Sequence, residues 1–142
     1  MVVDDEAESR EILALVLEDA GYSVETACNP QDALDKLDGA PAPDLILSDL
    51  QMPGMSGLDL IQTLRGQGEE VPVILLTGAD THDLCTSATA YGASACLSKP
   101  ANLEELIWNV DLALACSPGR KNVRLQRRQP PRRGDGVYTT RR

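Results

Sequence analysis

Apolar residues form two kinds of pattern along this chain, and the two alternate. Short apolar runs bounded by turn residues predict buried strands, whereas recurrence every three or four residues predicts amphipathic helices. The predicted strands are residues 2–3, 23–27, 45–47, 73–76 and 95–97. The predicted helices are residues 9–20, segments that begin at Pro30 and Leu58, and residues 80–91 and 103–114. The first run is so short that we expect the first strand to be truncated.

Five repeats of strand and helix with short connections predict an α/β fold. Right-handed crossovers between parallel strands place helices on both faces of the sheet. We therefore expect a doubly wound, five-stranded parallel sheet with five helices. Turn signals agree with these boundaries, because Gly21 follows the first helix and Asn29 with Pro30 offers a cap and a first-turn proline for the second.

Charge divides the chain into two parts. Residues 1–116 carry 21 acidic and 4 basic side chains, a net charge of −17, while residues 117–142 carry 1 acidic and 9 basic side chains, a net charge of +8. We expect one domain over residues 1–116 and a largely disordered basic tail over residues 117–142. An acidic body argues against nucleic-acid binding through its surface.

The basic tail admits three explanations at this stage. It is a linker or the remnant of a longer protein, or an arm that binds nucleic acid, or a segment that folds back on the acidic body. The absence of interleaved aromatic residues favours the first over the second.

The composition also bears on location and on cysteine chemistry. No apolar run approaches the roughly 20 residues of a membrane helix and no signal sequence is evident, so a cytoplasmic location without membrane contact is expected. The four cysteines are far apart and lack the paired spacing of metal ligands. We expect them to be reduced and mostly buried. They are Cys28, Cys85, Cys96 and Cys116.

Polar residues stand at the carboxyl ends of four predicted strands. Asp4 and Asp5 follow the first, Asp49 follows the third, Thr77 ends the fourth and Lys99 follows the fifth. In a doubly wound sheet the carboxyl ends of the strands form the ligand-binding edge. Each residue alone has a plain structural explanation, such as a polar turn or a solvated lysine. Their co-occurrence at one edge favours a shared site.

These residue types suit phosphoryl chemistry. Converging carboxylates repel one another by about 4 kcal/mol per close pair at an effective dielectric constant near 20, and a divalent cation relieves that repulsion. Oxygen ligands without histidine or thiolate favour Mg²⁺. A carboxylate is also a nucleophile toward phosphorus, and the resulting acyl phosphate is stabilised by metal, hydroxyl and ammonium groups. Asp49, Mg²⁺, Thr77 and Lys99 supply these parts.

Four segments together carry a family resemblance. They are Val2-Val3-Asp4-Asp5-Glu6, Asp49 with Met52-Pro53-Gly54-Met55-Ser56-Gly57, Thr77-Gly78, and Lys99-Pro100. Over residues 1–116 the chain resembles the response regulator receiver domains of two-component systems. The resemblance implies a flavodoxin-like fold with strand order 2-1-3-4-5. It also implies phosphorelay signalling, in which a receiver domain accepts a phosphoryl group from a phosphohistidine.

The resemblance implies a role for each site residue. Asp49 would be the phosphoryl acceptor, and Thr77 and Lys99 would bind the phosphoryl oxygens. Mg²⁺ would be bound by Asp5 and Asp49 directly and by Asp4 through water, with the main-chain carbonyl of Gln51 as a further ligand. Catalysis would be limited to the domain's own phosphoryl transfer and slow autodephosphorylation.

The resemblance also implies partners and a switch. The donor would be a sensor histidine kinase or a histidine phosphotransfer protein. Movement of Thr77 toward the phosphate would repack the surface formed by the fourth helix, fifth strand and fifth helix, which a downstream protein or output domain then binds. A homodimer through this surface is left open. The chain departs from many relatives at Cys96, where they carry an aromatic residue.

Two other functional classes remain alternatives. A Mg²⁺-dependent aspartyl-phosphate hydrolase usually carries Asp-x-Asp after its first strand, whereas this chain has Asp4-Asp5-Glu6 there and its acceptor candidate follows the third strand. A receiver-like interaction module that works without phosphorylation is the second alternative, since a shortened first strand would weaken the metal site.

Overall fold

The computed structural model describes residues 1–38, 41–78, 88–99 and 102–115. Five strands form one sheet in which every neighbouring pair is parallel, in the order β2-β1-β3-β4-β5. This confirms the predicted sheet and its strand order. The strands are β1 Val2–Val3, β2 Thr26–Ala27, β3 Ile46–Asp49, β4 Val73–Thr77 and β5 Ala95–Ser98.

Helices follow the strands as the sequence pattern predicts. Residues 88–90 are helical and belong to the predicted fourth helix, here called α4. Residues 80–87 of that predicted helix lie outside the described residues. The other helices are α1 Ala7–Asp19, α2 Pro30–Leu37, α3 Gly57–Gly66 and α5 Leu103–Ala115. The predicted cap of α2 is confirmed, because the Asn29 side chain accepts a hydrogen bond from the Asp32 backbone N–H at 2.7 Å.

Two apolar clusters cover the two faces of the sheet. One packs α2 and α3 against the strands through residues such as Ala33, Leu60 and Ile61. The other packs α1 and α5 against the opposite face through residues such as Leu17 and Leu114. Aliphatic side chains fill both clusters, so the central strands are buried on both faces, as parallel strands require.

The register of the sheet aligns the strand ends that carry polar residues. Asp49 pairs with Leu76 and Thr77 pairs with Ser98, so β3, β4 and β5 end at the same edge. Val3 pairs with Ser48, which places Asp4 beside Asp49. The residues that follow these strands therefore meet at one edge.

Some sequence expectations need correction. Ile12 and Leu103 belong to the apolar repeats that predict the first and last helices, yet they do not face the core and are 52 % and 48 % exposed. The sequence pattern predicts a helix that begins at Leu58, whereas α3 begins one residue earlier, at Gly57, because Ser56 and Asp59 form a capping box. The expected basic tail lies outside the described residues. Among the helices in the described ranges, none combines the length and apolarity needed to cross a membrane.

The prediction of reduced cysteines was wrong at Cys96. Cys96 forms a disulfide bond, whose partner lies outside the described residues. Cys28 is a free thiol, as expected, but it is exposed and not buried. A large separation between two cysteines along the chain does not prevent a disulfide bond, because the fold brings distant segments together.

Candidate functional site

Three carboxylates lie together at the carboxyl edge of the sheet. Asp4, directly after β1, is only 1 % exposed, whereas Asp5 next to it is exposed. Asp49 is the last residue of β3. One carboxylate oxygen from each lies within 4.8 Å of the others. Such a group concentrates negative charge in a partly buried place, which favours occupation by a cation.

The ammonium group of Lys99 bridges two of these carboxylates. Its Nζ atom lies 3.0 Å from Oδ2 of Asp49 and 3.2 Å from Oδ2 of Asp4. The Lys99 backbone N–H donates to the Thr77 carbonyl at 2.6 Å, which fixes the segment after β5 against the end of β4. Lys99 is therefore held by its backbone as well as by its side chain.

The pKa of Lys99 is raised above its ordinary value of 10.5. Burial acts to lower this pKa, but the hydrogen bond and charge of Asp49, followed by the charge and hydrogen bond of Asp4, outweigh burial. Lys99 consequently carries a positive charge throughout the physiological pH range.

Asp4 is positioned by contacts on both sides. Its backbone N–H donates to the Ala27 carbonyl at 3.2 Å, and its Oδ1 accepts from the Glu6 backbone N–H at 2.9 Å. The Arg10 guanidinium donates to the Asp4 carbonyl at 2.7 Å. Arg10 was not identified from the sequence, because a basic residue in the second turn of a helix gives no signal of this contact.

The loop after β3 also contacts the acceptor candidate. The Gln51 backbone N–H donates to Oδ1 of Asp49 at 3.3 Å, so the main chain of Gln51 passes close to the carboxylate cluster. The Gln51 side chain is exposed. The structure thus places the main chain of Gln51 beside the predicted metal ligands.

Thr77 occupies the carboxyl end of β4 and is buried. Its hydroxyl donates to the Leu97 carbonyl at 3.5 Å, a long hydrogen bond. Thr77 therefore shares the edge with the carboxylates, and its backbone carbonyl contacts Lys99.

Gly57 allows α3 to pack tightly beneath the site. A Cβ atom at this position would lie 2.7 Å from the Asp49 carbonyl oxygen, 2.8 Å from a Leu75 methyl and 3.1 Å from Leu50 Cα. Two of these atoms belong to the backbone that carries the acceptor candidate. The sequence pattern predicts a helix that begins at Leu58, and the close approach at Gly57 was not predictable from it.

We expect Gly57→Ala to destabilise the chain by about 1–3 kcal/mol, because the added methyl must displace backbone atoms in a packed region. The free energy of unfolding, measured by urea denaturation, tests this. Gly66→Ala in the same helix is the matched control, since a Cβ there meets nothing within 4 Å. That control is expected to be neutral or slightly stabilising. Equal destabilisation by the two substitutions would contradict the close-approach argument.

The donor set fits a hard divalent cation. It consists of the carboxylate oxygens of Asp4, Asp5 and Asp49. Oxygen ligands in this number suit Mg²⁺, which keeps several water ligands and takes one or two carboxylates together with phosphate oxygens. The exposure of Asp5 leaves room for those waters.

Comparison with known proteins identifies the family. The model of the response regulator receiver domain matches residues 1–111. The Response regulator MprA of Mycobacterium tuberculosis is 38 % identical over 107 residues, which cover 75 % of this chain and 46 % of MprA. The alkaline phosphatase synthesis transcriptional regulatory protein SphR of Synechococcus elongatus is 36 % identical over 115 residues, which cover 75 % of this chain and 45 % of SphR.

A solved structure agrees with these relatives. The receiver domain of NtrX from Brucella abortus superposes with a TM-score of 0.77 at 32 % identity, over 82 % of this chain and 98 % of that one. The chain spans less than half the length of the curated relatives MprA and SphR. The chain thus belongs to the response regulator receiver domain family of two-component phosphorelay signalling.

Proposed function

We propose that this receiver domain is switched by accepting a phosphoryl group on Asp49. The observation that carries the proposal is the environment of the Asp49 carboxylate. One oxygen of the Asp49 carboxylate lies within 4.8 Å of a carboxylate oxygen of Asp4 and of Asp5. The Asp49 Oδ2 atom lies 3.0 Å from the Lys99 ammonium. A carboxylate beside a cation site and a fixed ammonium is equipped to attack phosphorus and to hold the product.

The metal in this proposal is Mg²⁺. Asp5 and Asp49 bind it directly, Asp4 acts through water, and the main-chain carbonyl of Gln51 is a further ligand. When bound, Mg²⁺ neutralises charge on the phosphoryl oxygens and on the carboxylates. Support comes from the all-oxygen donor set and from the main chain of Gln51, which already contacts Asp49.

The chain's own groups complete the reaction. An Asp49 oxygen forms the new bond to phosphorus as the nitrogen–phosphorus bond of a donor phosphohistidine breaks, and the imidazole leaves. The Lys99 ammonium and the Thr77 hydroxyl bind the transferred phosphoryl oxygens. Lys99 already lies at hydrogen-bonding distance from the acceptor, so little reorganisation is needed on that side.

The proposal extends to partners and domain organisation. Residues 1–116 form the receiver unit, with a cytoplasmic location, and the donor is a sensor histidine kinase or a histidine phosphotransfer protein. Phosphorylation repacks the α4–β5–α5 surface, which contacts a downstream protein, an output domain or a second copy of the chain. Apart from its own phosphoryl transfer and slow autodephosphorylation, the domain has no enzymatic activity in this proposal.

A phosphorylation assay tests the proposal. The full chain is incubated with a small phosphodonor, such as acetyl phosphate, with and without Mg²⁺, and its intact mass is measured. We expect the mass to increase by one phosphoryl group with Mg²⁺ and to stay unchanged when EDTA is present. Peptide mapping should place the group on Asp49.

Other outcomes identify the alternatives. Continued release of phosphate from simple phosphate esters, without an accumulating adduct, would indicate a hydrolase. No adduct at saturating Mg²⁺, in a chain that circular dichroism shows to be folded, would indicate an interaction module that does not use phosphorylation.

A further inference from the structure

The outer face of α1 exposes two large aliphatic side chains to solvent. Ile12 is 52 % exposed and Leu15 is 65 % exposed, and they lie three residues apart on the same side of the helix. The exposed carboxylates around them are Glu8, Glu11, Glu18 and Asp19. These six residues are called the α1 outer face. It combines an apolar centre with an acidic border.

The α1 outer face lacks a cationic partner among the described residues. The ion pairs found there lie elsewhere, between Lys36 and Asp32 and between Lys99 and the site carboxylates. Arg10, the basic residue of α1, directs its guanidinium to the Asp4 carbonyl. The negative charge of this face is therefore not neutralised within the described part of the chain.

A segment of the same chain has the complementary composition. Residues 120–128 read Arg-Lys-Asn-Val-Arg-Leu-Gln-Arg-Arg, with five basic residues and two aliphatic ones, Val123 and Leu125. In an extended segment, side chains two residues apart lie about 7 Å from each other on one side. This is close to the spacing of about 5–6 Å between neighbours such as Ile12 and Leu15 on a helix surface.

The position of α5 brings this segment within reach. The Tyr22 hydroxyl, just after α1, donates to a carboxylate oxygen of Asp111 in the last part of α5, and Leu17 and Leu114 share one apolar cluster. The end of α5 therefore lies near the end of α1. From Ala115, thirteen residues of extended chain span up to about 45 Å. A helix of the length of α1, 13 residues, spans only about 20 Å.

We propose that residues 120–128 dock on the α1 outer face of the same chain. The basic side chains pair with the carboxylates at the border, and Val123 and Leu125 cover Ile12 and Leu15. Docking by a tethered segment gains from its high effective concentration, so modest contacts are sufficient. Residues 120–128 are the segment of this chain that joins dense positive charge with aliphatic residues.

Limited tryptic digestion of the full chain tests the proposal. Residues Arg132 and Arg133 lie beyond the docking segment and serve as an internal reference. At about 20 mM NaCl, we expect cleavage within residues 120–128 to be about fivefold slower than cleavage after the reference residues. At about 1 M NaCl, where the Debye length falls to about 3 Å, the two rates should approach each other. Mass spectrometry of the released peptides gives both rates.

Two variants of the full chain test whether docking depends on the α1 outer face or on the overall negative charge of the domain. Glu11→Gln with Leu15→Gln and Glu18→Gln removes the more exposed of the two aliphatic side chains and part of the acidic border, and should remove the protection. Asp35→Asn with Glu70→Gln removes the same number of charges from exposed positions elsewhere and should leave the protection unchanged. Neither variant alters the carboxylates or the lysine of the candidate phosphorylation site.

Three results would overturn the proposal. Equal cleavage rates at low salt would show that the segment does not dock. Protection that persists in the α1 variant would place the segment on another surface. Protection that increases with protein concentration would make a second copy of the chain the occupant.

Discussion

Replacing Asp49 with asparagine is expected to abolish the phosphoryl adduct completely. An amide oxygen does not form a stable bond to the transferred phosphorus, whereas the shape of the side chain is kept. Lys99 retains its contact with Asp4 in this variant, which limits the loss of stability to about 1 kcal/mol. Intact mass after incubation with acetyl phosphate and Mg²⁺ measures the adduct, and circular dichroism verifies the fold.

The matched control for this substitution is Asp35→Asn. Asp35 is exposed on α2, where it accepts a hydrogen bond from Gln31, and it is remote from the carboxylate cluster. Its asparagine variant should form the adduct at the normal rate. An undiminished adduct in Asp49→Asn would show that another residue is the acceptor.

Replacing Lys99 with methionine should slow adduct formation by about 100- to 1,000-fold, the cost typical of losing one fixed group that stabilises transition-state charge. Methionine keeps much of the aliphatic length while the ammonium is lost. The same change should tighten Mg²⁺ binding, because it removes a positive charge that lies 3.0 Å from Asp49 and 3.2 Å from Asp4. Opposite effects on rate and on metal affinity distinguish this role from simple loss of structure.

Lys36→Met provides the comparison, since Lys36 pairs with Asp32 at the surface of α2. That variant should leave both the rate and the Mg²⁺ affinity unchanged. In the parent chain, Asp49 and Asp4 raise the pKa of Lys99, so deprotonation of the ammonium should not slow the reaction near neutral pH. A normal rate for Lys99→Met would remove the ammonium from the proposed chemistry.

The sheet and the residues at its edge were predictable for a common reason. Continuous apolar runs define buried parallel strands, and each run ends at a polar residue that cannot be buried without a partner. Asp49 at the end of β3 and Lys99 after β5 were therefore identifiable as members of one edge. The family resemblance added their roles, which composition and spacing alone do not provide.

Contacts that depend on exact packing were not predictable. Successive residues of a helix point about 100° apart, so Ile12 and Leu13 cannot both face the sheet, and only the fold shows that Leu13 is the buried one. The Arg10 contact with the Asp4 backbone and the close approach at Gly57 likewise require relative positions that a linear pattern does not contain. The disulfide bond of Cys96 was missed for the same reason.

The contacts of Lys99 also determine when the polar edge of the sheet is completed during synthesis. Its partners Asp4 and Asp49 precede it by 95 and 50 positions. Contacts of such sequence separation form slowly, because the intervening chain must first be ordered. A nascent chain still lacking β5 has the Asp49 carboxylate but not the Lys99 ammonium. In the proposed mechanism, phosphoryl acceptance at the full rate therefore requires the completed sheet.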